Sequence, residues 1–294
     1  MYVLDCIVRM VLMLCRRSSA KNAKIKTMGK LATRIEVQTK FPCGFEAGQY
    51  CWINIPEISL MEWHPFTIAS SPSSDKLVFY CGDIHSQGSF TNKLRLAAES
   101  EKLSVNVDGP HGKLGLKLVS YESVLLIAGG MGITPMISIF CDLAERKNRG
   151  ELPNLKQCML VFSCKTSEQL MWFMGQYRKC EKVNGFKVEL YATKQNDEES
   201  GMSGRIHNGR PNIQSIVNVF GHGGRSVELS SPKSTTRESS KVVSPSDSNG
   251  ALSSSKSKSE NVAVLACGPE RMVNSAHAAA WSAGYSFHKE TFLL

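Results

Sequence analysis

Two stretches of the chain carry residue types that could hold a flat-ringed, phosphorylated ligand. In Ala128-Gly129-Gly130-Met131-Gly132-Ile133-Thr134-Pro135, three glycines separate an apolar run from a helical pattern. Glycines there let backbone amides approach a pyrophosphate, and the helix N-terminus adds N–H groups and partial positive charge. Pro135 suits the first helical turn, where its missing N–H removes no hydrogen bond. The spacing is not the G-x-G-x-x-G of dinucleotide folds, and an ordinary glycine turn after a strand would read the same way. The second stretch is His64-Pro65-Phe66-Thr67-Ile68-Ala69-Ser70-Ser71-Pro72. An imidazole, an aromatic face and a hydroxyl within four residues suit a ring with polar edges. A buried strand with a satisfied histidine is the alternative.

Other chemistries find little support. The ten cysteines form no C-x-x-C pair and no zinc or iron–sulfur spacing, so they read as small buried hydrophobes in a reducing compartment. No Ser-His-Asp or Cys-His arrangement stands out, and no D-x-D-x-D-G run suggests calcium. The net charge of +9 first suggests an acidic partner, but residues 1–30 carry +6 of it and the other 264 only +3. A body so nearly neutral has no basic face for nucleic acid.

The elements that must position these residues fall into two halves. Leu31–Gln38, Gln49–Ile55, Trp63–Ser70, Leu77–Gly82 and Leu103–Val107 are short, rich in β-branched and aromatic residues, and punctuated by Pro or Gly. Phe90–Ala98, opened by Ser89, is the only helix expected among them. This pattern predicts a small antiparallel barrel. After Ser120, strand-like Ser123–Ala128, Gln157–Phe162, Phe186–Tyr191 and Asn261–Ala266 alternate with helical Pro135–Lys147, Ser167–Lys179 and Pro269–Ser282. Alternation of that kind predicts an α/β domain with a parallel sheet. The expected fold is thus a barrel followed by a nucleotide-binding domain, with a short apolar and basic helix at the N-terminus.

Two segments belong to neither half. Tyr2–Leu14 is mostly apolar and is closed by Arg16-Arg17. Thirteen helical residues span about 20 Å, short of a bilayer core of about 30 Å. Apolar-then-basic is the order of a membrane helix leaving on the cytoplasmic side. The expectation is a chain that starts inside the last membrane helix of a longer protein, an amphipathic surface helix being the alternative. Residues 222–260 contain fourteen serines and no aromatic residue, a composition expected to be disordered.

The motifs, taken in order, resemble one family. His64-Pro65-Phe66-Thr67, Gly88-Ser89-Phe90-Thr91, Gly109-Pro110-His111-Gly112, the Gly130 turn, Gly209-Arg210-Pro211-Asn212, Cys267-Gly268-Pro269-Glu270 and a terminal aromatic follow one another as in the dehydrogenase half of the ferric reductase and NADPH oxidase superfamily. That half has the fold of ferredoxin–NADP reductases. The resemblance divides the chain into the end of a membrane helix and a polybasic segment (1–27), an FAD-binding barrel (28–118) and an NADP-binding α/β domain (119–294).

It also implies roles. Phe66 and Thr67 would contact the flavin. His64, with Pro65 beside it, would contact an FAD phosphate or the ribose, and Gly88, Ser89, Phe90 and Thr91 would receive the FAD pyrophosphate. Gly130, Gly132, Thr134 and Pro135 would hold the NADPH pyrophosphate. Cys267, Gly268 and Pro269 would flank the nicotinamide, and Phe292 would cover the flavin ring. Thr67, Cys267 and Phe292 are the expected catalytic positions, and no metal is expected. A 2′-phosphate needs cationic donors, for which Lys165, Arg205 and Arg210 are the candidates. Two departures from the pattern are His111, where a tyrosine is usual, and the two leucines after Phe292.

The implied activity is transfer of electrons from NADPH through FAD to a membrane haem, then to ferric chelate or dioxygen. The haem would lie in a membrane region outside this chain, with the dehydrogenase part membrane-associated and facing the cytoplasm. The protein's task would be to stack nicotinamide on flavin at about 3–3.5 Å, with no side chain acting as acid or base. A soluble NADPH diaphorase and a non-enzymatic scaffold that keeps the fold are the rival readings.

Overall fold

The computed structural model describes residues 18–20, 23–38, 41, 43–82, 88–98, 103–194, 206–221 and 261–290. The apolar N-terminal run, the serine-rich insert, Arg205 and Phe292 lie outside these residues.

The N-terminal half is built of antiparallel strands in two sheets. Strands β1 (Ser18–Ala20), β7 (Val105–His111), β4 (Tyr50–Asn54) and β5 (His64–Thr67) form one sheet in that order. Strands β2 (Lys24–Met28), β3 (Ala32–Val37) and β6 (Leu77–Gly82) form the other. Alternation gives this half its core: Ile35, Val37, Cys51, Ile53, Phe79, Val105 and Val107 face inward and are almost wholly buried. Helix α1 (Phe90–Ala97) contributes Phe90 and Leu94 to the same core.

The barrel begins earlier than expected. Strands β1 and β2 pair with β7 and β3, so residues assigned to the membrane-helix end and polybasic segment belong to the sheets. Lys24 and Lys26 are exposed on β2 while Ile25 packs inward opposite Ile35. The lysines that suggest a polybasic segment are the exposed face of an edge strand.

The C-terminal half is an α/β domain with six parallel strands in the order β11-β10-β9-β8-β12-β13. These strands are Ile206–Asn208 (β11), Phe186–Ala192 (β10), Gln157–Cys164 (β9), Ser123–Gly129 (β8), Val262–Cys267 (β12) and Ser286–Lys289 (β13). Strand order reverses at β8, which has β9 on one side and β12 on the other. Open α/β sheets bind ligands beyond the C-terminal strand ends at such a switch point. Every residue of β8 and β12 is buried, as a strand covered on both faces requires.

Helices α2 (Ile133–Asn148), α3 (Ser167–Met171), α4 (Met174–Cys180), α5 (Ile213–Phe220) and α6 (Glu270–Ser282) flank the sheet. The single helix expected over Ser167–Lys179 is broken at Trp172 and Phe173. Both rings pack on Tyr80 of the barrel, at centroid distances of 6.1 and 4.8 Å. Successive residues on one helix point about 100° apart, so the break lets both reach the same partner.

One hydrophobic cluster spans both halves. Ala69, Val78 and Tyr80 from the barrel pack with Met136, Ile137 and Phe140 of α2. Gly221 and Asn261, which flank the serine-rich insert, both lie at the N-terminal strand ends: Gln157 Nε2 donates to the Phe220 carbonyl, and the Asn261 carbonyl accepts from Ser123. Gly221 and Asn261 are therefore on the side of the sheet away from its C-terminal strand ends.

Candidate functional site

The first bed is centred on β5. Its neighbour β4 pairs Tyr50 with Thr67 and, on the other side, with His111. Cross-strand partners share a face, so Thr67, Tyr50 and His111 form one row. The Tyr50 and His111 rings lie 5.6 Å apart, and His111 Nε2 stands 3.3 Å from Asp108 Oδ2. Alternation sends Phe66, opposite Cys51, to the other face, where it packs on the barrel core. Thr67 and Phe66 thus act from opposite sides of the strand.

His64 connects β5 to α1. Its ring stacks on Phe90 at 4.1 Å and 26°, which holds the α1 N-terminus beside the strand. Ser89 caps that helix by accepting a hydrogen bond from the Asn92 amide, at 3.3 Å. Gly88 has φ of +84° with open space where a side chain would stand. A helix N-terminus beside an open glycine is a seat for an anion.

Two buried polar atoms next to this bed lack hydrogen-bond partners among the described residues: His64 Nε2 and Asp108 Oδ1. The nearest carboxylate to His64 is Glu62, at 3.6 Å, too long for a hydrogen bond. Buried polar atoms are normally satisfied, so orphans here suit a ligand with polar ring edges and phosphates.

The second bed is the bend between β8 and α2. Gly130–Gly132 forms a single 3₁₀ turn, and Thr134 Oγ1 donates back to the Met131 carbonyl at 3.1 Å. Thr134 and Pro135 are buried. They build the bend and leave its surface to Gly130, around which nothing stands within 4 Å of a notional side chain. A β-carbon on Gly132 would strike the Cys267 carbonyl, coming within 2.5 Å of its carbon and 2.9 Å of the Gly268 nitrogen. Gly268 and Gly129 are similarly close, at 2.8 Å from a notional Gly268 β-carbon to the Gly129 Cα. Gly132 and Gly268 are thus what allow the ends of β8 and β12 to meet.

Cys267 is 1% exposed, and burial, with Glu290 adding to it, pushes its thiol up to about 12. It is a neutral, apolar wall at neutral pH. The Glu290 amide donates to the Ala266 carbonyl at 3.0 Å, bringing the chain to the end of β12.

The cationic candidates sit on the rim of the same sheet. Lys165 follows β9 and Arg210 follows β11, both exposed. Between them Lys194 follows β10, its amide donating to the Lys165 carbonyl at 3.0 Å. Sequence reading missed Lys194 because only the β9–β10 register reveals it as Lys165's neighbour. Tyr50 and Asp108 were missed for the same reason: the β4–β5 register puts Tyr50 in the row of Thr67, and the β4–β7 register sets Asp108 opposite Trp52, one pleat along.

The beds are joined at short range. The strand bearing Thr67 runs three residues on to Ser70, whose carbonyl accepts from Ser138 Oγ of α2 at 2.7 Å. A β-carbon on Gly82, at the end of β6, would meet Met131 of the glycine bend at 2.9 Å.

An antiparallel barrel followed by a parallel sheet with a glycine bend at its switch point defines a two-domain reductase fold for a flavin and a pyridine nucleotide. A ferredoxin NADP+ reductase from Neisseria gonorrhoeae, solved with bound FAD and NADP, superposes with a TM-score of 0.61 at 14% identity, covering 93% of this chain and 98% of the reductase. The chain belongs to the family described as ferric reductase NAD binding domain, which matches residues 121–280, and residues 17–114 match an FAD-binding domain. Over 135 residues it is 38% identical to Ferric reduction oxidase 8, mitochondrial, of Arabidopsis thaliana, a match covering 43% of the chain and 18% of that relative. Over 172 residues it is 30% identical to NADPH oxidase 1 of Mus musculus, covering 56% and 28%. The chain spans less than a third of these curated relatives.

Proposed function

We propose that this chain is the FAD- and NADPH-binding dehydrogenase part of a membrane oxidoreductase that sends electrons to a haem and then to ferric chelate or dioxygen. A bound flavin would supply the exchange between two-electron chemistry with NADPH and one-electron chemistry with the haem. The observation that carries the reading is the direct run of the Thr67 strand, through the Ser70–Ser138 hydrogen bond, onto the helix that starts at the Gly130–Gly132 bend.

The residues divide the work as follows. Gly88 and the Ser89-capped start of α1 hold the FAD pyrophosphate, with His64 and Phe90 setting the angle of that helix. Thr67 and Tyr50 present a hydroxyl and a ring to the isoalloxazine, and Asp108 offers an acceptor. The Gly130 bend receives the NADPH pyrophosphate, while Lys165, Lys194 and Arg210 receive its 2′-phosphate. Cys267 and Gly268 close the floor and exclude water from the nicotinamide. No acid or base is required, in keeping with a buried, protonated Cys267. The apolar run Tyr2–Leu14 and the Arg16-Arg17 pair that closes it support a place at a membrane, the dehydrogenase part facing the cytoplasm. Among the described residues, no helix is long and apolar enough to cross one.

Loaded with FAD, the isolated chain should reduce a one-electron dye with NADPH, and joined to its haem-bearing membrane region it should reduce the haem. FAD binding without NADPH-dependent dye reduction would overturn the proposal.

A further inference from the structure

Glu145 lies on α2, three turns past the glycine bend, and has no part in holding either nucleotide. Its side chain is 19% exposed and is nevertheless ionisable. One carboxylate oxygen, Oε2, accepts hydrogen bonds from two barrel serines, Ser71 at 2.5 Å and Ser73. The other, Oε1, accepts from Lys179 of α4 at 2.6 Å. Ser71 Oγ also receives the Ser73 amide, at 3.4 Å, so the serine loop is folded around the carboxylate. Ser70 and Ser71 are the tail of the His64–Pro72 motif, a part given no ligand above.

We infer that Glu145 is a positioning residue that latches the loop after β5 to the helix after the glycine bend, and so fixes the separation of the two ligand beds. This deepens the proposed function and rests on it. Three observations support the latch. The contacts bridge positions more than seventy residues apart in sequence, from one half of the molecule to the other. A second bond, Ser138 to the Ser70 carbonyl, runs parallel to it from the same helix, so the loop is held at two points and cannot pivot about one. The geometry also tells the serine and lysine contacts apart. Lys179 is 69% exposed, and exposed ion pairs contribute little, so the hydroxyl-to-carboxylate bonds carry the latch. Burial raises the Glu145 carboxyl, but Lys179, Ser71 and Ser73 together outweigh it and hold the group below the usual carboxylate range, hence ionised at neutral pH.

Stacked rings react only near contact distance, and a misplacement of about 1 Å can lower a rate by about 100-fold. Glu145→Ala and, separately, Ser71→Ala/Ser73→Ala in the full chain should lower the maximal rate of flavin reduction at saturating NADPH by about tenfold or more. Dissociation constants for FAD and NADP+ should stay within about twofold. In the ligand-free chain, amide hydrogen exchange over residues 70–78 should quicken in both variants. Glu145→Gln/Lys179→Met should restore rate and exchange, because the amide oxygen still accepts from both serines and no lysine faces its NH₂ group. Unchanged exchange over 70–78, or a rate loss that the double variant does not rescue, would overturn the latch. If the unaltered chain were not reduced by NADPH at all, the functional reading would fail, while the exchange measurement would still decide whether Glu145 joins the two halves.

Discussion

Gly132 and Cys267 meet backbone to backbone: the α-carbon of one faces the carbonyl of the other with no room for a methyl group between them. Gly132 has ordinary helical angles, φ −60° and ψ −5°, so its identity is demanded by this neighbour rather than by its own conformation. Gly132→Ala should therefore force β8 and β12 apart. Overpacking of this kind costs about 1–3 kcal/mol. Thermal unfolding of the variant should show that loss, together with weaker NADP+ binding; a variant with both unchanged would mean the strand ends are looser than described.

Thr67→Ala removes a hydroxyl from the row it shares with Tyr50 and His111 without disturbing the β4–β5 ladder. A lost hydrogen bond is worth about 0.5–1.5 kcal/mol, so FAD affinity should fall by roughly two- to tenfold. Flavin fluorescence titration measures this directly. Phe66→Leu should act differently, loosening the barrel core and lowering thermal stability, because Phe66 faces inward.

For nucleotide preference, Lys194 is the informative residue. Lys194→Glu should raise the KM for NADPH by about tenfold or more and leave that for NADH nearly unchanged, as expected for a contact to the 2′-phosphate alone. Lys165→Glu should do the same. Steady-state kinetics with both nucleotides settles the point: equal effects on the two would remove these lysines from the phosphate site.

Glu36 provides a pH test of the barrel. Burial raises its carboxyl, yet hydrogen bonds and charge from Lys76 and Arg34 outweigh that and hold it below the usual range. A carboxyl depressed in the folded state stabilises above its unfolded value of about 4.3, and that contribution is lost as pH falls through the folded value. The stability difference between the parent chain and Glu36→Gln should be full at pH 7 and shrink steadily below about pH 4. Urea unfolding at a series of pH values would show it, and a constant difference would contradict the pairing.

What the sequence disclosed and what it withheld divide along a physical line. The fully apolar β8 and the glycines after it state their role locally, because a doubly covered strand and a tight bend each need particular residue types wherever they occur. His64 to Thr67 likewise form the strand that the sequence placed there, and their reading as a ligand bed rests on residue types legible in the sequence. Features that depend on register or distant contact were silent. Lys194 becomes Lys165's neighbour only through the β9–β10 ladder, Tyr50 joins Thr67 only through β4–β5, and the break at Trp172–Phe173 answers to Tyr80, far away in sequence. Strand β2 was hidden by its own lysines, whose charge overrode a weak alternation. Arg205 and Phe292 fall outside the described residues, so their roles rest on resemblance alone.

The central claim is that the bed around Thr67 and the bend at Gly130–Gly132 bring two ring systems into contact. Anaerobic stopped-flow mixing of the FAD-loaded chain with NADPH tests it most directly. Flavin absorbance should bleach in a single rapid phase that saturates with NADPH and is much slower with NADH. Tight binding of both nucleotides with no bleaching by either would contradict it.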